Sequence, residues 1–448
     1  MPLRECCCSV SAGSCFRCSW DNNPVGSAGQ ILHSRILSHT GSRESLYVRM
    51  KIPKLSTYRD LLPRLRINFV TALLIWFGVF CGYYFFSRGL DPVPGPLAAS
   101  LVNWDAKWYL DIAQHGYQYV PGSPAGQNIV FFPLYSLILA VLGKILPFFA
   151  LANIGIWLAA GSGVLSIFLF HRFARENLEE PAANAATWFY ALSPAAFFFA
   201  SDYPTGLMNV LALLALLAWH RERPALTAFW LGLGSASGPL MVFFAFALCS
   251  ILAWQRWQER SWRSLGGSVL LGLFASSGLI AFIVYQYVIF SAPLAFIHGH
   301  ASYLGELSPL QKLTNIVHLY PFSGADYTPL WQALAGEVTT LNPARSVYFL
   351  MNASVLAINL AGLLYFVWRR AWAWAWIALV LVGAYLWFQG ASQGPVSTYR
   401  LLYLNLPLFL LGSQLWQWRP RWGYVALTLS AAALFLQSAF FASGHWAF

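Results

Sequence analysis

From Ile67 to the C-terminus, apolar runs alternate with short basic clusters, and this pattern constrains the fold more than any motif does. Several runs reach the ~20 residues that a helix needs to cross ~30 Å of hydrocarbon. Charged residues make up 10% of the 448-residue chain, against about 25% in a typical soluble domain. The expected fold is an all-α polytopic membrane protein. A net charge of +11 raises the question of nucleic acid, but the basic residues sit between apolar runs, as those of cytoplasmic loops do. No nucleic-acid partner is expected.

The basic clusters also assign sides. Arg59, Arg64 and Arg66 precede a first span at about Ile67–Phe86, so the N-terminus reads as cytoplasmic. That span lies too far along the chain for a cleaved signal peptide. Residues 87–147 then form a first external loop. It has an extended stretch at Asp91–Pro96 and a short helix from Trp104 that Asn103 can cap. Trp104, Trp108 and Ile112 lie on one stripe of that helix, suited to a membrane surface. Ile129 to Pro147 reads as an interfacial or re-entrant piece, because one span over 151–170 then keeps Arg172 and Arg175 inside. Spans follow at 183–200 and 205–219, and the turn residues Gly234–Pro239 divide the run 225–254 in two. The remaining spans are expected at 265–289, 347–367, 372–388, 401–416 and 424–441, with a second large external loop over 290–346. The total is about eleven spans.

Residues 1–49 have no periodicity and read as disordered, or as mis-annotated sequence upstream of Met50; residues 50–448 read as one transmembrane domain. Five of the seven cysteines (Cys6, Cys7, Cys8, Cys15, Cys18) lie in that N-terminal stretch. Cys81 and Cys249 fall in apolar runs and read as small buried hydrophobes, so no disulfide framework is implied. Cys15 and Cys18 have metal-ligand spacing, but no second pair follows them, and no metal is expected.

A carboxylate beside a bilayer is costly, which makes Asp105, set between Trp104 and Trp108, a functional candidate. On the assigned sides, Asp105, Lys107, Asp111, His115, Asp202, Tyr203, the Ser235–Gly238 break, His298, His300, Glu306 and Arg400 all fall on the external face. The cytoplasmic face holds little but basic clusters. The chain lacks a Gly-Lys-Ser/Thr phosphate loop, a serine nucleophile elbow and a His-Glu-x-x-His pair. His298 and His300 are too closely spaced to be two ligands on one helix face. What remains is a carboxylate able to act as a base and cations able to hold a phosphate.

The stretch from Trp104-Asp105-Ala106-Lys107-Trp108-Tyr109 to Gly116-Tyr117, followed by Phe131-Phe132-Pro133-Leu134-Tyr135, resembles the first external loop of the GPI mannosyltransferase II (PIG-V) family and its bacterial homologues. Ser193-Pro194-Ala195 through Tyr203 is similar to a second family segment, and Arg400 with Pro407 to a late one. The resemblance implies a GT-C glycosyltransferase, a bundle of transmembrane helices that acts without a cofactor. Such an enzyme moves a sugar, here mannose, from a polyprenyl-phosphate sugar to a hydroxyl of a lipid or glycan acceptor, with inversion. It implies an extracytoplasmic active site in a bacterial inner membrane. Asp105 matches the family's base. Arg400 is the first choice for the leaving phosphate and Lys107 the second, and Trp108, Asp202, Tyr203 and His300 complete the expected substrate-binding set.

The chain also departs from the family. Pro204-Thr205-Gly206 stands where Thr/Ser-Glu-Ser follows the tyrosine, no arginine precedes Gly238, and His300-x-x-Tyr303 replaces Gln-x-x-Trp. These losses favour, as an alternative, a catalytically inactive partner or lipid carrier of the same fold. A transporter would instead set polar residues within the spans of two corresponding halves, and the spans read as nearly bare. Each residue has a plainer reading too. Asp105 can charge the first turn of its helix, Lys107 and Asp111 can pair across one turn, the tryptophans can anchor at the interface, and His115 can be an ordinary loop histidine.

Overall fold

The computed structural model describes residues 58–86, 97–123, 125–258, 262–305, 307–323, 343–393 and 396–445. The expectations for residues 1–49, Asp91–Pro96, Glu306 and the 324–342 part of the second loop lie outside them. All regular structure in the described residues is helical. The helices of eight or more residues are α1 (Tyr58–Phe85), α2 (Asp105–His115), α3 (Pro133–Ile145), α4 (Leu151–Asn177), α5 (Glu180–Ala191), α6 (Thr205–His220), α7 (Pro224–Gly234), α8 (Pro239–Trp257), α9 (Trp262–Ala275), α10 (Ser277–Phe290), α11 (Ala295–Leu304), α12 (Pro309–Val317), α13 (Pro343–Trp368), α14 (Trp372–Tyr385), α15 (Leu410–Trp418) and α16 (Pro420–Ala442).

Six of these, α1, α4, α8, α13, α14 with its continuation to Gly390, and α16, are long and apolar enough to cross a membrane. The chain is an integral membrane protein. The other five expected spans are shorter or broken, each for a local reason. Ser193-Pro194 ends α5, and the rest of its run winds as the 3₁₀ turn Pro194–Phe199. The run from Leu401 breaks around Asn405 and Pro407 before α15 begins. α6 and α7 are short apolar helices, and α9 and α10 together are long enough but bend by 59°.

Backbone broken at membrane depth must be satisfied by protein, and here two breaks serve each other. The Leu279 amide donates to Ser235 Oγ at 3.2 Å, and a Cβ on Gly278 would lie 2.5 Å from Gly232 O, so α10 starts hard against the turn after α7. The same turn supplies Ala236 O to the Leu134 amide at 2.8 Å, in the first turn of α3. Pro133 opens that helix, where its missing N–H costs nothing.

The first and last spans share a seam of small residues. A Cβ at Gly78 would lie 2.6 Å from Phe435 O, and one at Gly82 would lie 2.0 Å from Ala439 O. Lipid supplies no hydrophobic drive between helices, so close backbone packing of this small-xxx-small kind holds them.

Two readings of the first loop are corrected. Asn103 does not cap α2. Its Nδ2 donates to Phe441 O at 3.1 Å and Ser100 O at 3.0 Å, and the capping position falls to Trp104, with φ 53° and no side-chain bond. The buried face of α2 is Ala106, Tyr109 and Ile112. Trp104 and Trp108 are half-buried against Phe441 and Phe131, so α2 packs on protein aromatics instead of lying free on lipid. Cys81 and Cys249 are free thiols, half-buried where full burial was expected.

Gly82→Ala should lower the detergent-solubilised melting midpoint, with a loss of about 1–3 kcal/mol from overpacking the seam. Gly161→Ala, whose Cβ meets nothing within 4 Å, should leave it unchanged or raised.

Candidate active site

Arg400 Nη1 donates to Asp105 Oδ2 at 2.6 Å, a contact between residues 295 apart in sequence. Asp105 is the first residue of α2, where the helix dipole favours a negative group. Arg400 rides on the one-turn helix Thr398–Leu401. Both segments are approached through strained backbone: Trp104 has φ 53° and Ser397 φ 55°, in the region that L side chains disfavour. Such strain persists only where neighbours hold it. Around Arg400 they do. The Ser397 amide donates to Tyr348 Oη at 3.0 Å and the Thr398 amide to Asn352 Oδ1 at 2.6 Å, both from α13. Tyr385 Oη of α14 lies 2.6 Å from Thr398 Oγ1.

The guanidinium lies 5.2 Å from the centroid of the Tyr203 ring and 5.7 Å from that of Phe198, within cation–π range. Its side chain is 17% exposed and that of Asp105 is 23% exposed, so the pair is partly sheltered but open on one side. Desolvation pulls the Arg400 pKa down more than any single neighbour raises it, but the charge and hydrogen bond of Asp105 together with Tyr203 and Tyr109 outweigh it and the value rises. Burial lowers the His300 pKa, with Asp105 opposing. Burial pushes Tyr303 up to about 12, and Asp105 adds to that rise. Both groups therefore feel the Asp105 charge, while α11 itself packs on the 126–131 segment, where Tyr303 Oη donates to Gln127 O at 3.3 Å and its ring meets that of Phe131. Tyr203 Oη donates to Asn103 O at 3.3 Å, which ties the second family segment to the first.

The other expected residues take different positions. Lys107 is exposed. Asp111 pairs with His115 Nδ1 at 2.9 Å and accepts from Asn128 Nδ2 at 2.9 Å, so it holds the loop and not Lys107. Trp108 is stacked on Phe131 of the Phe-Phe-Pro segment, at 6.1 Å between centroids. Asp202 is turned away from the pair. Its carboxylate is fully buried, both oxygens lack a hydrogen-bond partner, and a Cβ on Gly155 of α4 would sit 2.0 Å from Oδ1. Among the described residues no group of three or more His, Cys, Asp or Glu side chains stands together as a metal site.

Sequence reasoning missed Tyr348 and Asn352, which position the Arg400 turn. The available signal was an asparagine within an apolar span, where polar groups are expensive. Asn359, seven residues further along α13, is a second such group, and its Oδ1 accepts from Asn405 Nδ2 at 2.9 Å. The spans are thus less bare than they read.

The family described as mannosyltransferase (PIG-V) matches residues 91–381 of this chain. The chain belongs to that family. The matched stretch includes Asp105, Asp202, Tyr203 and His300 and ends before Arg400. Among solved structures the chain is similar to the oligosaccharyltransferase of Archaeoglobus fulgidus in its apo form, at 13% identity and a TM-score of 0.49, over 88% of this chain and 57% of that one. It is also similar to ArnT from Cupriavidus metallidurans, at 13% identity and a TM-score of 0.31, over 86% of this chain and 78% of that one. The chain thus spans little more than half the length of the oligosaccharyltransferase. No curated protein gives a significant match.

Burial pushes the Asp202 carboxyl up to about 8, well above the ~3.9 of an unfolded chain. The folded state then holds the proton more tightly than the unfolded one, so this group's contribution to stability falls as pH rises from about 4 to about 8. Asp202→Asn should remove that loss. The melting midpoint of the variant should exceed that of wild type by more at about pH 8.5 than at about pH 5, and an equal difference at both would contradict the burial argument.

Proposed function

We propose that this protein is an inverting membrane mannosyltransferase of the GT-C type, using a polyprenyl-phosphate sugar as donor and a lipid or glycan hydroxyl as acceptor. The observation that carries the reading is the Asp105–Arg400 contact: the residue matching the family's base and the cation chosen for the phosphate meet with both side chains partly exposed. In the resting state they neutralise each other. A donor phosphate, which guanidinium can hold bidentately, competes with Asp105 for Arg400. Its arrival frees the carboxylate. The acceptor oxygen then attacks the anomeric carbon from the face opposite the phosphate, its proton passes to Asp105, and the carbon–oxygen bond to the phosphate breaks. The lipid phosphate departs with its negative charge on Arg400. On this reading His300 and Tyr303, which feel the Asp105 charge, contact the sugar, and the exposed Lys107, two residues after Asp105, is the second cation for the phosphate.

The transmembrane domain is taken as residues 50–448, with external loops at 87–147 and 290–346, a cytoplasmic N-terminus and the active site on the extracytoplasmic face of a bacterial inner membrane. The positive-inside distribution supports this orientation. The absence of a carboxylate after Tyr203 favours a second reading, a non-catalytic partner or lipid carrier.

Transfer of labelled mannose from polyprenyl-phosphate-mannose in membranes should fall about 10²–10⁴-fold in kcat for Asp105→Asn, the range for a general base. The donor KM should stay level or fall, since the competitor for Arg400 is gone. Arg400→Gln should raise KM, and Arg400→Lys should not restore it. Equal transfer by wild type and Asp105→Asn would refute the base, and no transfer from any lipid-linked sugar would support the second reading. In a cysteine-free background, Lys107→Cys should react with a membrane-impermeant maleimide added outside intact cells, and Arg421→Cys should not.

A further inference from the structure

We propose that a groove at the membrane face opposite Asp105 binds one anionic glycerophospholipid of the bilayer. α4 relates the two faces. Gly155 touches Asp202 near the active site, and twenty residues further on Arg175 pairs with Glu180 at the start of α5. At 1.5 Å per residue that is about 30 Å, the thickness of the hydrocarbon.

Beside Glu180, a groove of 430 Å³ opens between α5, α15 and α16. Asn184, Trp188 and Leu192 form one wall at helical spacing, Tyr424 and Leu427 the other, and Trp416 the end. The backbone builds it. A Cβ on Gly423 would lie 2.9 Å from the Trp416 Cα, so α15 and α16 close at that end, and the Trp416 and Tyr424 rings lie 4.3 Å apart. Ser430 Oγ donates to Leu192 O at 2.9 Å and closes the inner end. The lining is mostly apolar and aromatic, and Asn184 Oδ1 on its wall is buried and lacks a hydrogen-bond partner.

The rim supplies the charge. Arg421 precedes Tyr424 by three residues, on the same face of α16, and Arg419 lies at the start of that helix over the Trp418 ring. Both arginines are exposed, as are Trp418 and Trp422, the side chains that settle at headgroup depth. Arginines at the mouth of an apolar groove fit a phosphodiester headgroup above an acyl chain. This assignment does not depend on the transferase reading.

The test is lipid retention by the delipidated, detergent-purified full-length protein, offered phosphatidylglycerol or phosphatidylcholine and read by native mass spectrometry. Phosphatidylglycerol should be preferred by about fivefold per arginine. Arg419→Gln with Arg421→Gln, at exposed positions that do not threaten folding, should abolish the preference. Leu427→Trp should fill the groove and prevent retention of either lipid. Asp105→Asn should retain lipid as wild type does, which separates this site from the catalytic one. Equal retention of the two lipids by wild type, undiminished retention in Leu427→Trp, or polyprenyl phosphate displacing the phospholipid would each overturn the proposal.

Discussion

A guanidinium and a carboxylate from distant parts of the chain, partly withdrawn from water, set the terms for the rest of this structure. Bringing two such ions out of solvent costs several kcal/mol each before any attraction is counted. Geometry has to recover that cost, and the surroundings of Arg400 are arranged to do so. One oxygen of Asp105 lies at 2.6 Å, two aromatic faces lie under the cation, and α13 and α14 hold the turn that carries it. The strained backbone at Ser397 is held by its own bonds to Tyr348 and Asn352, independently of the ion pair. The catalytic proposal follows from the same balance, because a pair that barely repays its desolvation is one that a phosphate can separate.

The long uninterrupted apolar runs were legible from sequence because span length is set by bilayer thickness, a constraint external to the chain. The first-loop aspartate was legible because two linked motifs carry it, and Arg400 because it opens an apolar run on the side where positive charge is unusual. The broken spans were not. Whether Ser193-Pro194 kinks a helix or ends it depends on which neighbour satisfies the freed backbone, and the interlock of Gly278 with Gly232 is written in residues 46 apart.

Within the candidate site, local reasoning failed where a distant partner offered more. Asn103 stands where a capping residue belongs, yet its carboxamide goes to a carbonyl of the last helix. Asp202 sits beside Tyr203 in the sequence, but the chain turns between them. One side chain reaches the Arg400 cation while the other is pressed into α4 at Gly155. Adjacency in the motif therefore placed the two residues together in the backbone while their side chains part. The asparagines of α13 show the opposite case, polar residues passed over because their span looked like scaffold.

The seam between α1 and α16 also bears on the order of assembly. The loop that presents Asp105 is fastened at Asn103 to Phe441, 338 residues downstream, and the helix before it packs glycine to backbone against the helix that ends there. A ribosome therefore releases nearly the whole chain before either fastening can form. Until then the first span waits in the bilayer with Gly78 and Gly82 uncovered. A protein built this way has no self-sufficient half, and a chain truncated within its last helix leaves the loop that carries Asp105 without its anchor at Phe441.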